Sequence, residues 1–348
     1  MRDVIIIGGG PAGSTLARLL QKECNVLLID KKNRDENKTT FKKPCGGLIA
    51  PDAQRALARF QLQIPTEVLA NPQLFAVKTI DIQTQLVTHY QRFYLNVNRH
   101  RFDSWLLSLI EGVDIIEDAR VSKIEKSDLG FRVSFVQDGR VHYEETRMIV
   151  GADGADSIVR KTFFDRHIRQ YMAIQQFYNA SNTKPLYASL FDHTLTDSYG
   201  WGLIKDGELI FGAALPLTSS REKFEILKER GRSYGFDCES PILTEACLVN
   251  SPRFIHEIEC GKENIFLIGE AAGFISPSSL EGISYAMDSA LALAKAMKDK
   301  NIIKSYRSNC RRLKVKIFLK QLKSIILYTP VLRKLVMISK FDSIELVE

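Results

Sequence analysis

Three observations predict an α/β (α+β) fold for this 348-residue chain. A β-branched run, Val4-Ile5-Ile6-Ile7, enters the cluster Gly8-Gly9-Gly10-Pro11-Ala12-Gly13, and a helical pattern follows at once. Two further apolar runs, Met148-Ile149-Val150 and Ile265-Phe266-Leu267-Ile268, end in acidic glycine-containing turns far along the chain. Between them the sequence is mostly strand-like and rich in Tyr, Phe and Trp. Together these features predict a Rossmann-type dinucleotide domain assembled from residues 1–70, 96–165 and 250–300, with a mostly antiparallel β-sheet substrate domain inserted as residues 71–95 and 166–249. A basic amphipathic helical tail, 301–348, completes the chain.

The first element is the most specific. A buried parallel strand ends, the chain turns tightly at Gly8, and the backbone approaches phosphate at Gly10. Gly13 then lets helix and strand pack closely. Pro11 suits the first helical position, which needs no N–H, and the helix start offers free N–H groups to an anion. Val26-Leu27-Leu28-Ile29 reads as the second strand and ends in Asp30, 22 positions beyond Gly8. That spacing fits a carboxylate accepting from a ribose diol, and favours FAD or NAD over NADP. A ligand-free αβ crossover is the bland alternative, and the complete βαβ pattern argues against it.

Next comes a glycine-containing loop, Lys42–Leu48, and then an alternating segment from Phe75 to Tyr94 that reads as strands. Val97–Leu107 reads as a helix start, with apolar residues at 102, 105, 106 and, further on, 109. Strands follow at Val113–Ile116, Val121–Ile124 and Phe131–Val136. The buried strand at Met148 runs into Gly151-Ala152-Asp153-Gly154.

Composition bounds the function. Hydrophobic residues at 45% and charged residues at 26% are those of a globular protein. Met1-Arg2-Asp3 leads straight into the first strand, so no secretory signal is expected. No window reaches the roughly 18 to 20 apolar residues of a membrane span. The six cysteines lack metal-type spacing and suit reduced thiols, so no metal and a cytoplasmic setting are expected. Net charge is +7, yet residues 295–340 alone hold fourteen Lys or Arg against Asp299, and the remainder nets −6. Within that run Tyr306, Cys310, Leu313, Ile317, Phe318, Leu322 and Ile325 form an apolar stripe, and Thr329-Pro330 ends the helix before a shorter one. Such a helix is either a solvated charged face or a peripheral anchor at an anionic membrane surface. Nucleic acid is not expected as a partner, because the stripe is aliphatic.

Five ordered motifs resemble FAD-dependent oxidoreductases of the para-hydroxybenzoate hydroxylase type, and more closely the geranylgeranyl reductase branch with its CbrA-type bacterial flavoproteins. They are the glycine cluster with Asp30; Lys43-Pro44-Cys45-Gly46-Gly47; Arg99-x-x-Phe102-Asp103-x-x-Leu106; Gly151-Ala152-Asp153-Gly154; and Gly269-Glu270-Ala271-Ala272-Gly273-Phe274 with Glu281-Gly282-Ile283. The resemblance implies FAD as cofactor, with NAD(P)H or another reductant as electron donor. It places Gly8, Gly10, Pro11, Ala12 and Gly13 at the pyrophosphate, Asp30 and Lys31 at the adenosine end, and Arg99 at the phosphates or adjoining ribose. Val121 would pair with adenine through its backbone. Glu270, one methylene longer than the usual Asp, would bind the ribityl and pyrophosphate region. Gly282 and Ile283 would present N–H groups to the flavin pyrimidine edge. Asp153 either shapes the flavin cleft or caps a strand-to-helix turn.

Pro44, Cys45, Gly46 and Gly47 would lie beside the isoalloxazine. Cys45 is the candidate catalytic side chain, able to deliver a proton, or else it packs a tight turn. Tyr199-Gly200-Trp201-Gly202-Leu203 resembles the stretch lining the isoprenoid site of that branch, with Leu203 and Ile204 replacing Phe and Pro. Tyr199 and Trp201 therefore either wall a long apolar cavity or fill the core. Asp192 and His193 read as a solvated loop pair. The function expected is reduction of carbon–carbon double bonds in a hydrophobic isoprenoid or lipid-like substrate. The alternatives are a flavin monooxygenase for aromatic or polyketide substrates and a non-catalytic flavin-bound sensor or accessory protein. A halogenase ranks below these, since its Trp-x-Trp-x-Ile-Pro stretch is missing. Oligomeric state is not legible.

Overall fold

The structure, a computed structural model, describes residues 1–35, 43–180 and 186–347. Lys42 of the predicted glycine loop, residues 181–185 of the inserted domain and Glu348 of the tail lie outside the described residues. With elements numbered in chain order, the first sheet has a parallel centre of β16 (Ile265–Leu267), β9 (Arg140–Gly151), β1 (Arg2–Ile7), β2 (Val26–Ile29) and β6 (Asp114–Ile116), in that spatial order. Ile5, Ile6, Leu27, Leu28, Ile149 and Val150 are fully buried, as in strands covered on both faces. The helix α1 (Pro11–Leu20) joins β1 to β2 and packs against α7 (Ile283–Ala296). β15 (Gly261–Lys262) pairs antiparallel with β16. The strand β9 is long enough for two partners: its end runs beside β1, and its beginning pairs with β8 (Gly130–Gln137), which pairs with β7 (Arg120–Ser127).

The second sheet runs β14 (Leu243–Asn250), β10 (Gln170–Asn179), β13 (Glu208–Leu215), β12 (Gly200–Lys205), β11 (Tyr187–Phe191), β4 (Leu74–Asp81), β5 (Leu86–Asn96) and β17 (Ser343–Ile344). A short β3 (Leu48–Ile49) also pairs with β5. Every pairing is antiparallel except β11 with β4, which come from different chain segments and meet without a hairpin. The mixed α/β class is that predicted.

The helices α2 (Pro51–Arg59), α3 (Arg99–Ser108), α4 (Ile158–Phe163) and α6 (Gly269–Ala272) flank these sheets. Asn98 caps α3 by accepting from the His100 and Arg101 N–H groups. Three local expectations are revised. The stretch read as mostly strand contains α5 (Ser220–Gly231), which buries Phe224 and Leu227 against β13. Asp192 is not solvated: it is buried and accepts from Arg230, Thr194 and Gln83.

The tail is the third revision, because it forms three helices, α8 (Ile302–Asn309), α9 (Arg311–Tyr328) and α10 (Pro330–Ser339). The predicted stripe divides within it. Tyr306, Cys310, Leu313 and Ile317 join the core of the first sheet, whereas Phe318 is 49% exposed and Ile325 58%. Among the described residues no helix is long and apolar enough to cross a membrane.

Candidate functional site

A cleft of about 730 Å³ opens at the carboxyl ends of β1 and β2 and reaches the face of the second sheet. It lies where β2 and β9 leave β1 to opposite sides, the switch point at which open α/β sheets bind ligands. Of the site residues read from the sequence, all line this cleft except Gly13. Gly13 acts one layer below, since a Cβ there would stand 1.9 Å from the Gly8 carbonyl oxygen. Gly8 itself has φ +106°, and a Cβ on it would meet the Ala152 backbone at 2.5 Å. The turn and the close helix–strand packing therefore both require glycine. A Cβ at Gly10 would meet nothing within 4 Å, so the backbone there faces open space. The start of α1 has no side-chain cap and no acidic residue in its first turn, leaving N–H groups for an anion.

Asp30 stands beside this turn, buried, with Oδ2 lacking a hydrogen-bond partner. Burial raises its pKa, and Lys32 with nearby backbone N–H groups only partly offsets that. A buried carboxylate oxygen without a donor matches a ribose diol, which supplies donors. Val121 sits at a register shift between β7 and β8 and lines the cleft. Asp153 combines the two readings of its turn. Its Oδ2 accepts from the Ile158 N–H at 2.7 Å at the start of α4, while Oδ1 is buried without a partner beside the cleft. Burial pushes its carboxyl up to about 6 against the hydrogen bonds it accepts.

Cations gather along the floor. Lys31, Lys32, Lys43, Arg99, Arg120 and Lys161 all line the cleft and suit a pyrophosphate. Arg99 donates to Asp103 Oδ1 at 2.9 Å, and Lys32 donates to Asp103 Oδ2 at 2.8 Å. Although burial opposes ionisation, these two cations hold Asp103 down at about 2. Glu270 has both oxygens engaged within the protein: Lys43 pairs with Oε2, and the Asn250 N–H donates to Oε1 at 3.0 Å. The longer side chain thus ties the glycine loop to β14.

Cys45 lies in that loop, and its Sγ accepts from the Gly47 N–H at 3.4 Å. Burial opposes its ionisation, but Arg99, the Gly47 N–H and Lys205 together hold the thiol below its ordinary range. Lys205 anchors the loop from β12 by donating to the Gly46 carbonyl at 2.6 Å and the Val97 carbonyl at 2.8 Å.

Beyond Cys45 the cleft becomes aromatic. Tyr199 and Trp201 face it at ring distance 5.9 Å, and Tyr94 and Tyr187 meet edge to face at 5.7 Å. The Tyr199 hydroxyl donates to the Ser279 carbonyl at 2.8 Å, and the Tyr94 hydroxyl donates to Glu281 Oε1 at 3.0 Å. Gly282 begins α7 without a side-chain cap, with Ile283 next, so the helix N-terminus opens at this end. Sequence reasoning missed Lys205, Tyr94, Tyr187 and the side chain of Glu281. Lys205 had a signal: Trp201, Leu203 and Lys205 alternate on one strand face.

The unpartnered carboxylate oxygens of Asp30 and Asp153, the open backbone at Gly10 and the cationic floor fit an extended dinucleotide. The comparisons with known proteins agree. Residues 1–184 match the family described as FAD binding domain. Over 339 residues the chain is 46% identical to Protein CbrA of Escherichia coli O6:H1 (strain CFT073), a match covering 96% of this chain and 92% of that protein. The fold is similar to that of a geranylgeranyl bacteriochlorophyll reductase-like protein from Thermoplasma acidophilum, with TM-score 0.80 and 18% identity over 96% of this chain and 90% of that one. It is also similar to PqsL of P. aeruginosa, solved with 2-aminobenzoylacetate, with TM-score 0.71 and 16% identity over 98% and 99% of the two chains.

Proposed function

Because the chain belongs to the FAD-binding oxidoreductase family that includes the CbrA proteins, we propose that it reduces carbon–carbon double bonds of a hydrophobic, isoprenoid or lipid-like substrate. FAD is its cofactor, and when reduced it supplies a hydride. The observation that carries the reading is the aromatic end of the cleft, where Tyr94, Tyr187, Tyr199 and Trp201 enclose apolar space beside Cys45 and Gly282. Such a box excludes water and grips a chain without demanding polar groups from it. The reductase-like name of the Thermoplasma acidophilum neighbour is in keeping with this reading.

The protein must also place a proton on the second alkene carbon. Cys45 is poorly suited to give it, since its cationic neighbours favour the thiolate. We assign the proton to the Tyr94–Glu281 pair. Burial raises the Glu281 carboxyl against the hydrogen bond it accepts from Tyr94, so it holds a proton more readily than an exposed glutamate. Once protonated it would reverse that bond and donate to the Tyr94 oxygen, while the Tyr94 hydroxyl gives its own proton to the alkene carbon. Gly282 and Ile283 would orient the flavin through the N-terminus of α7.

The test is anaerobic incubation of the FAD-loaded protein, chemically reduced, with polyprenyl lipids of several lengths, followed by mass analysis. A gain of about 2 Da per reduced bond supports the reading. No gain at any length, with NAD(P)H oxidation and oxygen incorporation stimulated by aromatic compounds, overturns it in favour of a monooxygenase.

A further inference from the structure

We infer that the outward face of α9 and α10 is a docking surface for an anionic lipid bilayer. Among the described residues, fourteen of twenty-six exposed large apolar side chains lie between Val315 and Val347. In α9 they follow helical spacing, with Val315, Phe318, Leu319, Leu322, Ile325 and Ile326 on one side. The opposite side becomes polar exactly where it should be apolar for an ordinary surface helix. After Ile317 the inward positions are held by Gln321, which donates to the Pro252 carbonyl at 3.2 Å, and by Tyr328, which donates to the Ser278 carbonyl at 2.9 Å. The pattern repeats in α10, where Arg333 is buried against Asp81 while Val331, Leu335 and Ile338 point outward. From Phe318 onward most large apolar side chains of these two helices thus face outward, while Gln321, Tyr328 and Arg333 face the protein and Met337 of α10 is buried with them. Contiguous exposed apolar surface of this kind marks an interaction site.

Charge selects the occupant. No Asp or Glu occurs between Lys300 and Phe341, and Arg311, Arg312, Lys323, Lys334 and Lys340 are exposed around the stripe. A second copy bringing the same face would set cation against cation. Nucleic acid would neutralise the cations but leave the aliphatic stripe unmatched. An anionic bilayer satisfies both, with apolar side chains in the acyl boundary and Lys and Arg among the headgroups.

Docking here also bears on substrate access, a consequence that rests on the proposed reductase reading. Tyr328 holds Ser278, whose neighbours Ser279, Leu280 and Glu281 line the aromatic end of the cleft. The wall of the substrate space is therefore braced by the helix that meets the lipid.

Vesicle co-sedimentation tests the surface independently of any turnover. The full-length FAD-loaded protein is mixed with phosphatidylcholine vesicles with and without roughly 30% phosphatidylglycerol. Binding to the anionic vesicles is expected to be at least tenfold tighter, and to fall with salt. Phe318→Ser/Leu322→Ser/Ile326→Ser and, separately, Lys323→Glu/Lys334→Glu are each expected to lose most of it while keeping bound FAD and the wild-type melting temperature. Equal sedimentation of wild type and both variants, or none for wild type, overturns the proposal. So does a wild-type dimer that the serine variant dissociates, which would assign the face to a second copy. Vesicle binding without alkene reduction would leave this surface standing and remove only the reductase reading.

Discussion

Lys205 donates to the Gly46 carbonyl at 2.6 Å, fixing the loop that carries Cys45 to a strand of the other sheet. Burial lowers this lysine from 10.5 to about 8. Between those values the unfolded chain binds more protons than the folded one, so this group makes stability rise with pH there, by at most about 1.4 kcal/mol per pH unit. The difference in unfolding free energy between wild type and Lys205→Met, measured by denaturant titration from pH 8 to 10, should grow in the wild type's favour. A pH-independent difference would contradict the assignment.

The same contact makes a prediction for the thiol. Removing Lys205 takes away one of the charges that hold Cys45 below its ordinary range, so the alkylation midpoint of Cys45 should move to higher pH in Lys205→Met. Cys45→Ala should retain FAD and change substrate reduction by less than about threefold, since the proton is assigned to the Tyr94–Glu281 pair. A loss of roughly tenfold or more with full FAD content would return that role to Cys45.

Asp30→Asn should act with opposite sign on the two forms of the protein. Without cofactor, the buried Asp30 Oδ2 has no hydrogen-bond partner, and burial raises its pKa although Lys32 lies 3.9 Å away. The folded form then binds more protons than the unfolded chain, so this group costs stability as pH rises. Neutral asparagine removes that cost, and the apoprotein should melt higher at pH 7. With FAD the ribose loses its charged acceptor, worth about 1.5–3 kcal/mol, so the Kd should rise roughly tenfold to hundredfold. Weaker binding with an equally destabilised apoprotein would mean the substitution merely damages the fold.

Arg333 and Asp81 form a 2.7 Å ion pair buried between α10 and β4, and the Arg333 guanidinium also lies 5.0 Å from the Phe191 ring centre. Breaking it from one side leaves a buried charge alone, at a cost of about 3–5 kcal/mol. Arg333→Met and Asp81→Leu should each destabilise by that order, and the double variant by less than either single one. Additive losses in a double-mutant cycle would show that the two side chains act separately.

What could be read ahead of the structure follows the distance over which each interaction acts. Gly8, Gly13 and Asp30 belong to one βαβ unit, and their spacing reports a local geometry. Lys43 with Glu270, 227 positions apart, and Tyr94 with Glu281, 187 apart, meet only because two sheets pack together. No periodicity marks such pairs. The tail shows a different limit. Its apolar stripe was legible, but periodicity says that two helix faces differ, not which one turns inward. From Phe318 onward α9 turns Gln321 and Tyr328 inward, where they donate to the backbone carbonyls of Pro252 and Ser278.

The Tyr94–Glu281 hydrogen bond gives the proton assignment its own pH signature. If Glu281 holds the proton in the reactive form, alkene reduction should fall as pH rises through its raised pKa. Asp52, Lys320 and Lys323 also face this carboxyl, so the two lysines restrain the shift and Asp52 reinforces it. Glu281→Gln should lose that alkaline limb and slow product formation roughly 10²-fold. Tyr94→Phe should slow it similarly, because the carboxyl then lacks its relay into the box. Both variants should bind FAD with wild-type spectra, since neither side chain is assigned to the cofactor. An alkaline limb that persists in Glu281→Gln would place the proton source elsewhere in the cleft.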